Sequence, residues 1–238
     1  MPLRSTFTGS GKVPRDPVHH PLFARSYARF SVTAETRMGL GGVRHRLLAG
    51  LSGRVIEIGA GNGLNFAHYP GTVSEVVAIE PERLLRKLAV EAALRSEVPV
   101  DVVPGVAEAL PVKGEAFDAV VLSLVLCGVR DVPRALGEVR RVLRPGGEVR
   151  FFEHGVGGGP AMRFAQRALD RTVWPMLAGG CHVARDPVAA LRDAGFELGP
   201  YRQLLLPEKG PRLPASYCVL GSAWRPLQPE AEPETKAS

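Results

Sequence analysis

Two acids flanking a run of glycines are the residues of this chain best placed to do chemistry. In Arg54-Val-Ile-Glu-Ile-Gly-Ala-Gly-Asn-Gly63 an apolar, β-branched run carries Glu57 and leads into Gly59, Gly61 and Gly63. A second apolar run, Val76-Val-Ala-Ile-Glu80, ends in Glu80, 17 residues beyond Gly63. Strand, glycine turn and second strand in this order open a nucleotide-type βαβ unit. Glycines in such a turn let the backbone approach a ligand closely and adopt positive φ at low energy. An acid at the carboxyl end of the second strand is placed to accept hydrogen bonds from two ribose hydroxyls.

The spacing selects among nucleotides. A dinucleotide fingerprint reads G-x-G-x-x-G and cradles a pyrophosphate at a helix N-terminus. Here it reads G-x-G-x-G, with Glu57 two residues before the first glycine. A carboxylate there would repel a pyrophosphate but attract an ammonium group. The loop therefore fits a nucleoside with a cationic amino-acid tail, S-adenosylmethionine (SAM), and disfavours an NAD-dependent oxidoreductase. The plainer alternative is a glycine turn that only packs within an ordinary βαβ unit.

Methyl transfer from a sulfonium is an in-line displacement that depends on alignment and exclusion of water. A thiol or hydroxyl acceptor must also lose a proton, helped by a base or by a positive charge that favours the thiolate. His154 follows the fifth expected strand, at the sheet edge where ligands sit. It is the first choice for a base or an acceptor-orienting group, against the alternative of a strand-capping histidine. Glu153 beside it would orient a cation or a histidine, or stand solvated. Cys127, at the end of the fourth strand, reads as a small polarisable wall beside the donor methyl. Arg185 would attract an acidic acceptor or a thiolate, or form a surface salt bridge. Asp170 reads as a solvated helix residue, and Trp174 and Phe164 as core packing ahead of pocket lining. Cys127, His154, Cys181 and His182 show no paired ligand spacing, so no metal site is expected.

The elements that must position these residues alternate along the chain. Helices are expected over 22–32, 42–48, 81–93, 133–143, 160–177 and 187–194, with a helix beginning at 63–68 under the glycine turn. Strands are expected over 54–58, 76–80, 100–103, 117–125, 148–153, 196–206 and 216–224. The pattern is α/β with a mostly parallel sheet. One domain over 18–225 is expected, between a flexible segment 1–17 and a disordered tail 226–238. The net charge of +6 is spread along the chain, and few aromatics accompany the basic residues, so a nucleic-acid surface is not indicated. Three widely spaced cysteines suit a reducing, cytoplasmic compartment. No apolar run is long enough to span a bilayer, so no stable membrane insertion is expected. The oligomeric state is left open.

Together these segments resemble the class I SAM-dependent methyltransferases over residues 20–225. Glu57-Ile-Gly-Ala-Gly-Asn-Gly63 is similar to their first motif, Val106-Ala-Glu-Ala-Leu-Pro111 to the loop that meets the adenine, and Val142-Leu-Arg-Pro-Gly-Gly147 to their turn into strand five. Ser123-Leu-Val-Leu-Cys-Gly-Val129, Phe152-Glu-His154 and Gly179-Gly-Cys-His-Val-Ala-Arg185 resemble the methyltransferase-like family that includes thiol S-methyltransferases. The resemblance implies a Rossmann-like, seven-stranded, mostly parallel sheet with helices on both faces. It implies cofactor contacts from Glu57, Gly59, Ala60, Gly61, Gly63, Asn65, Glu80, Pro81, Val106, Ala107, Glu108, Ser123 and Leu124. It places the 179–185 loop over the acceptor, with His154 and His182 as catalytic candidates and Cys127, Glu153, Cys181 and Arg185 against the substrate. The implied activity is methylation of a small molecule, with a thiol sulfur as the favoured acceptor. N-, O- or C-methylation of a lipid, quinone or secondary metabolite is the alternative within the class, and a non-catalytic SAM-binding regulator the alternative outside it.

Overall fold

Seven strands pair in the order β3-β2-β1-β4-β5-β7-β6. A computed structural model of the protein describes residues 21–209 and 211–227. Expectations for 1–17 and for the tail beyond 227 lie outside these residues. The chain runs α1 (Pro21–Arg37), α2 (Leu40–Leu48), β1 (Gly53–Ile58), β2 (Val73–Ile79), α3 (Arg83–Ala93), β3 (Val100–Val103), β4 (Phe117–Ser123), α4 (Val132–Val142), β5 (Leu143–His154), α5 (Pro160–Asp170), α6 (Trp174–Leu177), α7 (Pro187–Asp193), β6 (Glu197–Leu205) and β7 (Tyr217–Trp224). β1 to β5 are parallel, and β7 is antiparallel to both β5 and β6.

Side chains alternate across the sheet, as the two-residue strand period requires. Ile56, Ile58, Val120, Leu122, Val149 and Phe151 pack with Leu136 and Val139 of α4 and Leu191 of α7. Val55, Val76, Ala78, Val121 and Phe152 pack on the other face with Val43 and Leu47 of α2 and Ala89 of α3. Both faces are thus covered, which is why β1, β2 and β4 read as continuous apolar runs. The strand order reverses between β1 and β4, and the crevice beyond their carboxyl ends is the ligand position of open α/β sheets.

Three helix expectations need correction. The stretch 63–68 forms only a single 3₁₀ turn, Phe66–His68, because Pro70 follows at once and cannot continue a helix. The expected helix 160–177 is two pieces, since Pro175 in an unbroken helix would lack its N–H bond and clash with the preceding turn. Pro81 lies outside α3, whose N-cap is Glu82, accepting from the Leu85 amide at 2.9 Å. Phe164 is 70% exposed, so it neither packs in a core nor lines a cavity.

Candidate active site

The glycine turn follows β1 directly. Gly59 has φ 71°, and a Cβ there would stand 2.6 Å from Val125 Cγ2, in the segment after β4. Only glycine meets both conditions, because the left-handed conformation costs other residues about 1–2 kcal/mol before any clash. Gly59→Ala should therefore lower stability by at least about 1–2 kcal/mol in urea denaturation; an unshifted midpoint would mean that the turn relaxes freely.

Glu80 stands immediately beyond β2 and is buried. Its Oε2 accepts the Gly61 amide at 2.7 Å and its Oε1 the Glu82 amide at 2.8 Å. Each carboxylate oxygen has two lone-pair sites, so one on each remains for a further donor. Burial raises its pKa to about 7. A buried carboxylate with two remaining acceptor positions, beside a turn bare of side chains, fits the paired hydroxyls of a ribose.

Glu57 and Asn65, expected among the cofactor contacts, are joined to each other by a buried hydrogen bond. Glu57 Oε1 accepts from Asn65 Nδ2 and Oε2 from the Tyr69 hydroxyl, both at 2.8 Å. Asn65 Oδ1 accepts from Arg44 Nη1 at 2.7 Å, and Arg44 Nε donates to Glu35 at 2.9 Å. Strand parity explains this: Glu57 shares its face of β1 with Val55, against α2, which carries Arg44. The chain Glu35–Arg44–Asn65–Glu57–Tyr69 ties α1 and α2 to the turn from within. Burial raises Glu57 to about 7 against these hydrogen bonds. Tyr27 of α1 lies over Gly61, 3.3 Å from where a Cβ would stand, and Ser31 Oγ accepts from Asn62 at 3.0 Å.

Of the expected adenine loop, Ala107 is buried and Val106 bridges to Ala109. Glu108 Oε1 accepts the Arg130 amide at 3.0 Å, which links this loop to the segment after β4. Ser123 Oγ is buried without a hydrogen-bond partner among the described residues. Leu124 adopts φ 57° and donates its amide to Phe152 at 2.7 Å, a strained turn at the sheet edge.

The acceptor side gathers residues that are far apart in sequence. A sulfur of Cys127, a ring nitrogen of His154 and a sulfur of Cys181 lie within 4.8 Å of one another. Cys218 Sγ lies 3.8 Å from His154 Nδ1. A hydrogen bond to Cys181, together with burial, pushes the Cys127 thiol well up. Cys181 is pulled down to about 5, chiefly by the Cys127 hydrogen bond and then, against burial, by His154. Burial pulls His154 down, but its hydrogen bonds with Cys181 and Cys218 outweigh this and raise it to about 10. The three groups thus titrate as one hydrogen-bonded cluster, whose contacts favour negative charge on Cys181 and positive charge on His154.

Glu153 is fully buried, and burial raises it to about 7. Its Oε1 accepts the Val125 and Leu126 amides at 2.9 and 3.0 Å, while Oε2 has no partner among the described residues. His182 donates its backbone amide to Cys127 at 2.8 Å, and its half-exposed ring sits 3.8 Å from Asp170. Asp170 is not the solvated residue expected: its carboxylate accepts the Val183 and Ala184 amides at 2.8 and 3.0 Å and fixes the loop that carries Cys181. Arg185 Nη1 donates to the Leu126 and Val129 carbonyls at 2.5 and 2.6 Å, so it clamps the segment after β4. Trp174 packs beside Cys127, Cys181 and Val183.

A cavity of about 580 Å³ opens between α4 and α7, with Leu126, Val132, Leu136 and Ala190 among its apolar walls and Cys127, Glu153 and His154 on its floor. Neither the glycine turn nor Glu80 lines it; the segment after β4 reaches both, with Val125 against Gly59 and Leu126 and Cys127 on the cavity. Sequence reasoning missed Tyr27, Arg44, Tyr69 and Cys218 and misread Asp170, because their roles depend on contacts between distant elements and leave no local signal.

This fold and edge geometry define a nucleoside-binding α/β protein of the methyltransferase type. Residues 56–151 match the family described as "Methyltransferase domain". The chain is 30% identical over 170 residues to the ubiquinone/menaquinone biosynthesis C-methyltransferase UbiE of Syntrophotalea carbinolica, covering 67% of this chain and 70% of that one. It is 34% identical over 155 residues to the thiol S-methyltransferase TMT1B of Homo sapiens, covering 63% of each chain, so just under two thirds of that relative's length is matched. A solved SAM-dependent methyltransferase of Thermotoga maritima shares the fold, with a TM-score of 0.63 at 22% identity over 86% of this chain and 97% of that one. The chain belongs to the SAM-dependent methyltransferases, a family whose methyl donor is SAM.

Proposed function

We propose that this protein transfers a methyl group to the sulfur of a small thiol with an apolar body, in a reducing, cytoplasmic compartment. SAM supplies a methyl group already activated on a sulfonium. What remains for the protein is to bind, align and exclude water. In this reading Glu80 takes the ribose hydroxyls, and the 106–108 loop lies against the adenine. Gly59, Ala60, Gly61 and Gly63 offer backbone to the amino-acid tail, while Glu57 and Asn65 hold that turn in shape. Ser123, Leu124 and Cys127 wall the reacting methyl, and His154, Glu153 and the 179–185 loop receive the acceptor.

The observation that carries the reading is the cavity beside the Cys127, His154 and Cys181 cluster, with its apolar walls and a polar floor at the sheet edge. The human relative's name, a thiol S-methyltransferase, supports the same acceptor. A quinone C-methyltransferase of similar identity supports a second reading, carbon methylation of a quinol. No helix among the described residues is long and apolar enough to cross a membrane.

The deciding experiment measures S-adenosylhomocysteine formation with a panel of small thiols against matched alcohols, amines and quinols. Turnover confined to thiols supports the proposal; turnover confined to quinols replaces it with carbon methylation. No turnover despite tight SAM binding favours a regulatory SAM-binding role.

The buried acids make binding and stability depend on pH in opposite directions. Glu80 must be ionised to accept two hydroxyl donors, so SAM affinity should rise as pH increases from 6 to 8, through its pKa of about 7. The ligand-free protein should behave the other way. Glu57 and Glu80 have folded pKa values raised above those of the unfolded chain. Their contribution is fully present below about pH 4.5 and is lost as pH rises through about 7. Calorimetry of binding, alongside urea unfolding at each pH, checks both signs. An affinity flat across that range would remove Glu80 from the ribose.

A further inference from the structure

We propose that Cys127, His154 and Cys181 form a zinc site of two thiolates and one imidazole, with a fourth position on the acceptor cavity that takes the acceptor's sulfur. The inference rests on the thiol reading only for its last clause; the three protein ligands stand without it.

The donor atoms already lie within 4.8 Å of one another. A tetrahedral zinc with bonds of about 2.3 Å to sulfur and about 2.0 Å to nitrogen places its ligand atoms roughly 3.5–3.8 Å apart. Closing that difference takes side-chain shifts on the order of 1 Å. Two sulfurs and an imidazole suit a borderline-soft, tetrahedral ion, and three protein ligands with one open position are the pattern of catalytic zinc.

The ligands come from three elements, each held by named contacts, and the Cys127 and Cys181 segments are also tied to each other. Cys127 lies in the segment after β4, whose Leu126 and Val129 carbonyls are clamped by Arg185. His154 ends β5, opposite Cys218 of β7, and that thiol stands 3.8 Å from its Nδ1, where it can orient the ring. Cys181 lies in the loop fixed by Asp170 and by the His182 amide on Cys127.

A second observation points to a cation here. Glu153 Oε2 is buried without a partner among the described residues, and Glu153 lines the same cavity as Cys127 and His154. An unpaired buried carboxylate oxygen is costly unless positive charge or a donor faces it. Cys127 and His154 line the cavity and Cys181 does not, so an open position beside the first two faces the acceptor space. An acceptor thiol that ligates there gives its S–H proton to solvent and keeps its electron pair on sulfur, and the metal changes no oxidation state. The methylated product is a neutral thioether, a weaker ligand than a thiolate, which favours its departure.

The test uses the full chain purified without chelators from zinc-supplemented cells. About one zinc per chain by elemental analysis is expected, falling to near none in Cys181→Ser and His154→Gln variants that still bind SAM. Exchange with cobalt(II) should give thiolate-to-metal charge-transfer absorption and the strong visible bands of a tetrahedral site, and a small arenethiol should shift both. Folded, SAM-binding wild type without stoichiometric metal or a cobalt spectrum overturns the site, as does a Cys127–Cys181 disulfide in that protein. A cobalt spectrum that thiols leave unchanged overturns the open position. Full thiol turnover by metal-free protein overturns the zinc while leaving the S-methyltransferase reading intact. An intact cobalt site with turnover only on quinols overturns the acceptor class alone.

Discussion

Glu80→Ala lowers SAM affinity by about tenfold or more. Hydrogen bonds to a charged group contribute roughly 1.5–3 kcal/mol, and each 1.4 kcal/mol is a factor of ten in Kd. Glu80 is buried, so water competes little for its acceptor positions. The substitution also strips partners from the Gly61 and Glu82 amides, which shape the glycine turn and cap the start of α3. Two buried donors left unmet cost about 1–3 kcal/mol each, so the variant is less stable as well. Glu80→Gln separates the two effects: it retains size and one acceptor oxygen but loses the charge, and should recover part of the stability and little of the affinity. Isothermal titration calorimetry on folded protein is the measurement. Unchanged affinity in Glu80→Ala would end the ribose assignment.

His154→Ala lowers turnover by about two orders of magnitude while SAM affinity stays within about twofold. The ring touches neither the glycine turn nor Glu80; it contacts Cys181 and Cys218 and lines the acceptor cavity. Its removal leaves the acceptor side loose by about the width of an imidazole, and misplacement of order 1 Å costs about 100-fold in rate. Single-turnover kinetics with SAM in excess isolate the transfer step. A variant as fast as wild type would remove His154 from the acceptor site; a variant that also loses SAM would mean that it holds the whole edge together.

Most of the fold was legible because the local signals agree. β3 falls on 100–103 as the apolar run predicts, and α4 and α7 begin where Asp131 and Asp186 cap them beside a proline. The misreadings share one origin, periodicity that continued past a break. Apolar spacing runs through Pro175 and up to Pro70; Pro175 starts a new helix in place of continuing α5, and Pro70 stops the turn before it. The cofactor half of the site was legible because the glycine turn and Glu80 are contiguous strand-end features. Glu57 was legible as a special residue but not as an internal brace, since its partners Tyr69 and Asn65 are identified only once the face of β1 is fixed. On the acceptor side Cys127, His154 and Cys181 were named one by one, through the family resemblance, but their meeting was not legible, because they have no spacing in common and come together only in the fold.

Placing β7 between β5 and β6 has a consequence for biosynthesis. β5 carries Glu153 and His154, yet its second neighbour is built from residues 217–224, almost the last of the described chain. Until those residues emerge, β5 is an open edge strand bearing a buried-type carboxylate and an unpartnered histidine. The β5 side of the acceptor site is therefore completed only after β7 is made, by a long-range pairing that is slow to form. A nascent chain released short of Tyr217 would keep the nucleoside half of the molecule with the edge of β5 open, a form that quality-control proteases would find.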